Sequence, residues 1–395
     1  MTRITRYILF ELVAIFALTL TGMTAFIVLV VLAQEAVRQG LGPMPILRMI
    51  PFVLPNALRF AVPGTILFAA CSVYGRMSAS NEVVALKSMG ITPWSIIRPA
   101  LILAFFISLI AVWLNDVAVS WGRQGIHRVV LESIEQIAYG MLRTQHSYST
   151  KSFSITVKRV NGRKLERVTM TIHGGENTPS TVIVAEEAEL RSNPQENRMS
   201  ILLTNGSIDF GGKVKMTFTD TIPHDFALAD ASRKSNKVDS PSEYALWQIQ
   251  GAQREQRVTI AELEQSLAAE AGYQLLTGDF ANMNKAEWKP READLRNARS
   301  RHFRLQTEPW RRWANGFSCF FFVLVGVPLA IHLKNSDIWT SFAVCFLPIL
   351  VVYYPLLAYG VDRAKCGALP PYSVWLGNLM LLIVGTYLVR KVIRY

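Results

Sequence analysis

The chain has 395 residues, of which 51% are hydrophobic and 18% charged, and its 41 Lys and Arg against 29 Asp and Glu leave a formal charge of +12. Over 122–310 the balance is nearly even, 25 Lys and Arg against 23 Asp and Glu, so the excess positive charge sits beside apolar segments, where it suits anionic headgroups. No basic patch is interleaved with exposed aromatics, which excludes nucleic acid as a partner, and four cysteines without a C-x-x-C pair imply neither a disulfide framework nor a zinc site.

Six long apolar stretches occur as two groups of three: 7–33, 51–74 and 94–117, then 313–333, 338–360 and 371–389. About 20 apolar residues suffice to cross a bilayer core as helix, so each stretch predicts a transmembrane span. Arg3 and Arg6 precede the first as in a signal peptide. Its apolar run is longer than a signal-peptide h-region and no small-x-small pattern closes it, which predicts an uncleaved helix. Glu11, Arg59 and Arg98 lie inside the spans and Asp116 at the end of the third. Arg3, Arg6, Arg76, Lys87, Arg98, Lys334, Arg390, Lys391 and Arg394 all fall on one side of the membrane. The other side carries Arg38, Arg48, Arg363 and Lys365 in its short loops, the latter two offset by Asp362. The bias places both termini in the cytoplasm and the polar block outside, with Arg311 and Arg312 running against the trend.

The connection between the second and third spans predicts a short helix over about 78–90. Ser78 or Ser80 is the expected cap, Glu82 suits the positive N-terminal end, Lys87 the C-terminal end, and Gly90 with Pro93 stops the helix. Val83, Leu86 and Met89 or Ala85 form a small apolar face. Such a helix suits a motor subunit pushing on two spans, and it equally suits an interfacial helix lying on headgroups.

In the outer block, apolar residues alternate at 153–157, 168–172, 182–184, 201–203 and 214–218. Asn161-Gly162, Gly174-Gly175, Asn193-Pro194, Asn205-Gly206 and Gly211-Gly212 read as the turns between these strands, which predicts an antiparallel sandwich or open barrel. Residues 229–241 read as a polar linker, and 242–308 as helix returning the chain to the membrane. The Arg run of that segment, Arg291, Arg296, Arg299, Arg301 and Arg304, fits a solvated helix face or lipid phosphates.

No G-x-x-x-x-G-K-[ST] loop is present, since the stretch from Gly206 to Lys213 has the wrong spacing and Val214 where the hydroxyl belongs. H-E-x-x-H and G-x-S-x-G are absent too, so no catalytic residue is assigned and any ATP is expected to be hydrolysed by another chain.

The stretch Gly75-Arg76-Met77-Ser78 through Glu82, then Ala85-Leu86-Lys87-Ser88-Met89-Gly90-Ile91, resembles a characteristic stretch of the LptF/LptG (YjgP/YjgQ) permeases of the lipopolysaccharide exporter. Pro55 and Pro63, Leu203-Thr204-Asn205-Gly206, Gly326-Val327-Pro328-Leu329, and Leu369-Pro370-Pro371 followed by Trp375 and Asn378 extend the resemblance over all six spans and the strand region. It departs at 253–308, which is longer and more charged than the family's usual return segment.

The resemblance implies an α-helical membrane protein of the inner membrane with an inserted periplasmic β-jellyroll-like domain. Its expected divisions are 1–121 with the first three helices, 122–228 with the jellyroll, 229–308 with the linker and return segment, and 309–395 with the last three helices. It further implies a homologous permease partner, a dimeric cytoplasmic ABC ATPase that uses ATP and Mg, a periplasmic lipid-bridge protein, and a lipopolysaccharide-type lipid as cargo. Ser80, Glu82, Val83, Leu86, Lys87 and Gly90 are the candidate ATPase-coupling residues, and this chain is expected to hold neither cofactor nor metal. Counting back about 20 residues, roughly 30 Å of helix, from Gly75 to the outer surface places Arg59 about one turn below that surface. There its guanidinium meets a lipid phosphate in a cavity between subunits or snorkels to outer headgroups.

Three other classes compete. A mechanotransmitting ABC subunit has a coupling helix with fewer spans and no lipid cavity. An anchored enzyme needs a His, Asp or Ser constellation, and a proton-coupled transporter needs more intramembrane carboxylates than Glu11 and Asp116 supply.

Overall fold

A computed structural model of the chain describes residues 3–39, 43–123, 146–149, 153–162, 164–172, 181–193, 198–210, 214–227, 240–278, 288–333 and 338–394, with six further residues between 125 and 143. The linker expected at 229–241, the turn signals Gly174-Gly175 and Gly211-Gly212, and Lys334 fall wholly or mostly outside the described residues. The chain opens with helices α1 (Arg3–Gln39), α2 (Pro43–Ala79), α3 (Glu82–Ser88) and α4 (Pro93–Val117). Strands β1 (Ser147–Ser149), β2 (Phe153–Asn161), β3 (Lys164–Ile172), β4 (Thr181–Asn193), β5 (Arg198–Phe210), β6 (Val214–Phe218) and β7 (Ile222–Ala227) follow. The remainder is α5 (Leu246–Thr277), α6 (Trp288–His332), α7 (Ile338–Pro348), α8 (Tyr354–Lys365) and α9 (Leu376–Arg394).

Two compact units are present, one built from 1–27, 54–120 and 241–395, the other from 28–53 and 121–240. Six membrane-crossing candidates occur among the described residues, at the positions expected: Arg3–Val37, Ile46–Ala79, Pro93–Gly122, Trp288–His332, Trp339–Lys365 and Pro371–Arg394.

In the first unit α6 is the packing axis. A Cβ on Gly316 would stand 2.3 Å from Val112 of α4, and one on Gly385 of α9 would stand 2.7 Å from Leu324 of α6. Small residues let helix backbones approach where no hydrophobic effect drives them together. Phe322, Val323 and Val327 of α6 join Leu67, Ala70 and Tyr74 of α2 and Ala100 and Ala104 of α4 in one core. The fifth crossing is not a single α-helix: a π-helical turn, Ile349–Tyr353, joins α7 to α8 directly after Pro348.

The return segment is helical, as expected, and its second half is continuous with the fourth crossing, so that α6 runs for 45 residues. Along α5 the less exposed positions Ile249, Gln253, Gln256, Ile260, Leu263 and Leu267 alternate by four and three, and on α6 Leu295, Ala298, His302 and Leu305 do the same. This is the seam of an antiparallel two-helix coiled coil. Its two glutamines bond across the seam: Gln253 Nε2 donates to Leu305 O at 3.1 Å and Gln256 Nε2 to Ala298 O at 3.2 Å. Three members of the Arg run are ion-paired, Arg299 with Glu264 at 2.8 Å, Arg296 with Glu292 at 3.6 Å, and Arg291 with Glu270, which favours the solvated-face reading for them.

In the second unit the described strands form one antiparallel sheet of seven, ordered β1-β2-β3-β4-β5-β6, with β7 also paired to β5. Lys158, Arg167, Glu186 and Asn205, on four neighbouring strands, drop out of an otherwise continuous register. Arg167 and Asn205 take left-handed backbone angles, φ 50° and 51°. Across this line the buried positions step by three rather than two, from Leu165 to Val168 and from Ala185 to Ala188. Because side chains alternate with period two, an extra residue on each strand restores the same buried face on the far side of a bend. The sheet is therefore creased, with β7 pairing the part of β5 before the crease and β6 the part after it.

One expectation changes here, and the jellyroll is not confirmed. Asn205-Gly206, read as a turn between strands, lies inside β5 at the crease, because Asn tolerates the left-handed region wherever a bulge demands it. Asn161-Gly162 does form the β2–β3 hairpin, with Gly162 at φ 61°. A jellyroll requires two facing sheets; the described strands make one bent sheet, with Ile155, Val157, Met170, Ile183 and Ile201 buried together.

Candidate functional site

The helix between the second and third crossings is shorter than 78–90. Ser78 and Ala79 belong to α2, and α3 starts at Glu82 behind Asn81, whose φ of 57° reverses the chain. Neither expected cap caps it. Ser78 Oγ donates to Ile331 O at 2.7 Å, tying the end of α2 to α6, and Ser80 Oγ donates to Arg76 O at 2.9 Å and lies 3.0 Å from Glu82 Oε1. The stop is as expected: Gly90 at φ 80° lets its N–H reach Lys87 O at 2.9 Å while Ile91 N–H reaches Leu86 O at 3.1 Å. These are the two bonds of a Schellman cap.

The faces of α3 are divided differently from the expected apolar stripe. Val83 is buried and Leu86 packs beside it against the helical core, whereas Val84, Ala85 and Met89 point outward, Val84 46% and Met89 66% exposed. A seven-residue helix has room for one inward face, and the fold uses it for attachment. Further ties hold it: Lys87 Nζ donates to Val392 O at 3.3 Å, and Arg76, ion-paired to Glu11 of α1, stands 4.0 Å from Glu82.

Arg59 lies near the middle of α2. It borders a pocket of about 140 Å³ whose polar lining also includes Asn115 of α4, Asn315 and Ser318 of α6, Tyr353, and Tyr354 of α8. Its guanidinium carbon is 5.1 Å from the Phe60 ring centroid, a cation–π distance. The Asn115 amide donates one hydrogen bond to Ala111 O at 2.8 Å and the Ser318 hydroxyl donates to Asn315 O at 2.7 Å, both within their own helices. The pocket brings a fixed cation and hydrogen-bonding groups together between apolar crossings. Among the described residues no group of His, Cys, Asp and Glu converges as a metal site.

A family model described as lipopolysaccharide export system permease LptF/LptG matches residues 6–391. The chain belongs to the LptF/LptG family. A search of curated proteins finds no match. Membership makes this a chain of a transport permease family and not of an enzyme family, and with the apolar helices it implies a multi-pass protein of the inner membrane that works with a permease partner in lipopolysaccharide export.

The sequence reading of this LptF/LptG permease missed a buried ionic cluster where α4, α5 and α6 meet. Arg312, 2% exposed, donates through Nη1 to Asp116 Oδ1 at 2.7 Å and through Nη2 to Tyr244 O at 2.6 Å. The same Asp116 oxygen accepts the Leu246 N–H, 2.9 Å away, at the start of α5. Glu308, 1% exposed, accepts from Arg311 at 2.7 Å and from the Ser242 hydroxyl at 2.9 Å. Burial disfavours the charge on Glu308, yet Arg311, Ser242 and Arg312 outweigh it and hold its carboxyl below the ordinary value. The two arginines that oppose the charge-bias trend are thus neutralised inside the protein. The available signal was Asp116 at the end of one span and an Arg pair at the start of another, read as separate facts.

Proposed function

We propose that this chain is the membrane half of an ATP-driven exporter that lifts a lipopolysaccharide-type lipid from the inner membrane, with a homologous permease as its other half and a dimeric cytoplasmic ABC ATPase, which binds ATP and Mg, docked on α3. The observation that carries the reading is α3 itself: a helix fastened to α2, α1 and α9 by Val83, Leu86, Lys87 and the Arg76 network while Val84, Ala85 and Met89 face outward. A rigid attachment on one side and a small apolar face on the other is what transmits a push. Within the expected coupling set, Val83, Leu86, Lys87 and Gly90 then hold the helix, Glu82 and Ser80 shape its start, and the outward residues make the contact.

In this reading both termini are cytoplasmic, the creased sheet is periplasmic, and its buried face receives acyl chains on the way to a bridge protein. α1 and the α7–α8 crossing are the least covered by the chain itself, with Phe10 78%, Leu18 76% and Val351 61% exposed, which supports them as walls of a cavity shared with the partner permease. Extracting acyl chains into water costs about 0.8 kcal/mol per CH₂, so contact must stay apolar throughout the transfer. Arg59 and its polar neighbours would meet a phosphate at the cavity's outer end.

The test is a pull-down of the detergent-solubilised protein, wild type beside Val84→Asp, Met89→Asp and Glu82→Arg, with mass spectrometry of bound proteins and lipid. Recovery of a second permease, an ATPase and a phosphorylated glycolipid with the wild type, and loss of the ATPase alone in the outward-face variants, is the expected result. Absence of any ATPase from the wild-type sample would end the motor-coupled reading.

A further inference from the structure

At the end of the bundle opposite α3, α6 and the loop after α8 form a groove of about 510 Å³, almost wholly apolar and lined by Trp310, Leu369, Pro370, Tyr372, Trp375 and Leu379. Ile331, which meets Ser78 beside α3, lies roughly 30 Å further along α6 at 1.5 Å per residue, so the groove sits one hydrocarbon thickness away, at the far membrane boundary. Aromatic residues favour that level, and Trp310 and Tyr372 meet edge-on across the groove with centroids 6.5 Å apart.

Beside the groove stands a basic cluster. Arg304, Glu308 and Arg311 share one face of α6 by helical spacing, and the half-buried Lys365 ammonium lies within electrostatic range of all three and of Asp362. Glu308 is committed to Arg311 and Arg312, and neither Arg304 nor Lys365 has an ion-pair partner among the described residues. The loop is held in place: Gly367, at φ 76°, closes a Schellman cap on α8 and lies so near Phe303 of α6 that a Cβ there would stand 2.5 Å from the ring. Arg304, next to Phe303, and Lys365, two residues before Gly367, thus stand at the loop that leads into the apolar, aromatic-edged groove, and that combination matches one kind of occupant.

We infer that this groove is a binding site for an anionic phospholipid, one acyl chain lying against Leu369, Trp375 and Leu379 and the headgroup phosphate meeting Arg304 and Lys365. The site lies on the α6–α9 side, apart from the Arg59 pocket, and needs neither ATPase nor cargo. A resident lipid there would seal the α8–α9 loop against the long helix that carries the hairpin.

The experiment is native mass spectrometry of the full chain with its co-purifying subunits, titrated with phosphatidylglycerol and with phosphatidylcholine of the same acyl chains. Wild type should prefer phosphatidylglycerol by roughly tenfold, as two basic groups at a membrane surface allow. Arg304→Gln with Lys365→Gln should lose the preference while still binding both lipids, and Leu379→Trp, which narrows the groove, should weaken both. Melting temperatures of the variants guard against misfolding. A preference retained by the double variant, equal binding of the two lipids by wild type, or occupancy only by a phosphorylated glycolipid of the exported class would each overturn the inference.

Discussion

Arg312 and Asp116, far apart in sequence, meet at 2.7 Å in a site where the arginine is 2% exposed, and the bond fastens the end of α4 to α6 where the helical hairpin begins. Removing one member of a buried pair leaves the other charge uncompensated, a loss of about 3–5 kcal/mol. Arg312→Ala should therefore lower the melting temperature in detergent sharply. Asp116→Asn should do less harm, because Glu308 still faces Arg312 at 3.8 Å. Equal melting of wild type and Arg312→Ala would show that the pair is not a fastening.

Gly316 and Gly64 make a matched comparison. A Cβ at Gly316 meets Val112 side chain and backbone at 2.3–3.0 Å, whereas nothing lies within 4 Å of one at Gly64. Gly316→Ala must push α4 and α6 apart at a cost of about 1–3 kcal/mol. Gly64→Ala should be neutral or stabilise by up to about 1 kcal/mol through helix propensity. Thermal unfolding of the two variants side by side decides it, and the same sign for both would contradict the close helix approach.

The crease depends on residues that accept a left-handed backbone. Asn205→Val places a β-branched side chain at φ 51° and should destabilise by about 1–2 kcal/mol, while Asn205→Gly should be tolerated. Hydrogen exchange along β4 and β5 is the measurement; indifference to Val would mean that the bend does not need this conformation.

Gly90 is a second such position, at φ 80° in open space, so any effect of a substitution there is conformational and not steric. Gly90→Ala should fray α3 by about 1 kcal/mol and Gly90→Asn by less. Exchange rates of amides 86–91 should rank in that order, and a reversed order would count against the Schellman cap as the stop of α3.

On the lipid path, Arg59→Ala should reduce lipid recovered with the assembled complex without reducing recovery of the partner subunits, and Arg59→Lys should retain part of the effect, since an ammonium supplies the charge without the planar fork. Unchanged lipid recovery would remove Arg59 from the path and leave snorkelling as its role.

The six crossings, the helical return segment and the stop at Gly90 were legible in the chain because each rests on local physics: apolar runs of bilayer length, helix-forming composition, and a residue without a Cβ. The family was legible for a related reason, since short stretches such as 75–91 keep their residue order. Only the tertiary structure decided which face of α3 is attached and which is free, because Val83 and Val84 are alike in sequence and differ solely in what lies beside them. The same holds for Asn205-Gly206, whose conformational tolerance serves a hairpin or a bulge equally well until the neighbouring strands are in register. It holds also for Asp116 with Arg312, where long-range packing selects the partner of a charge.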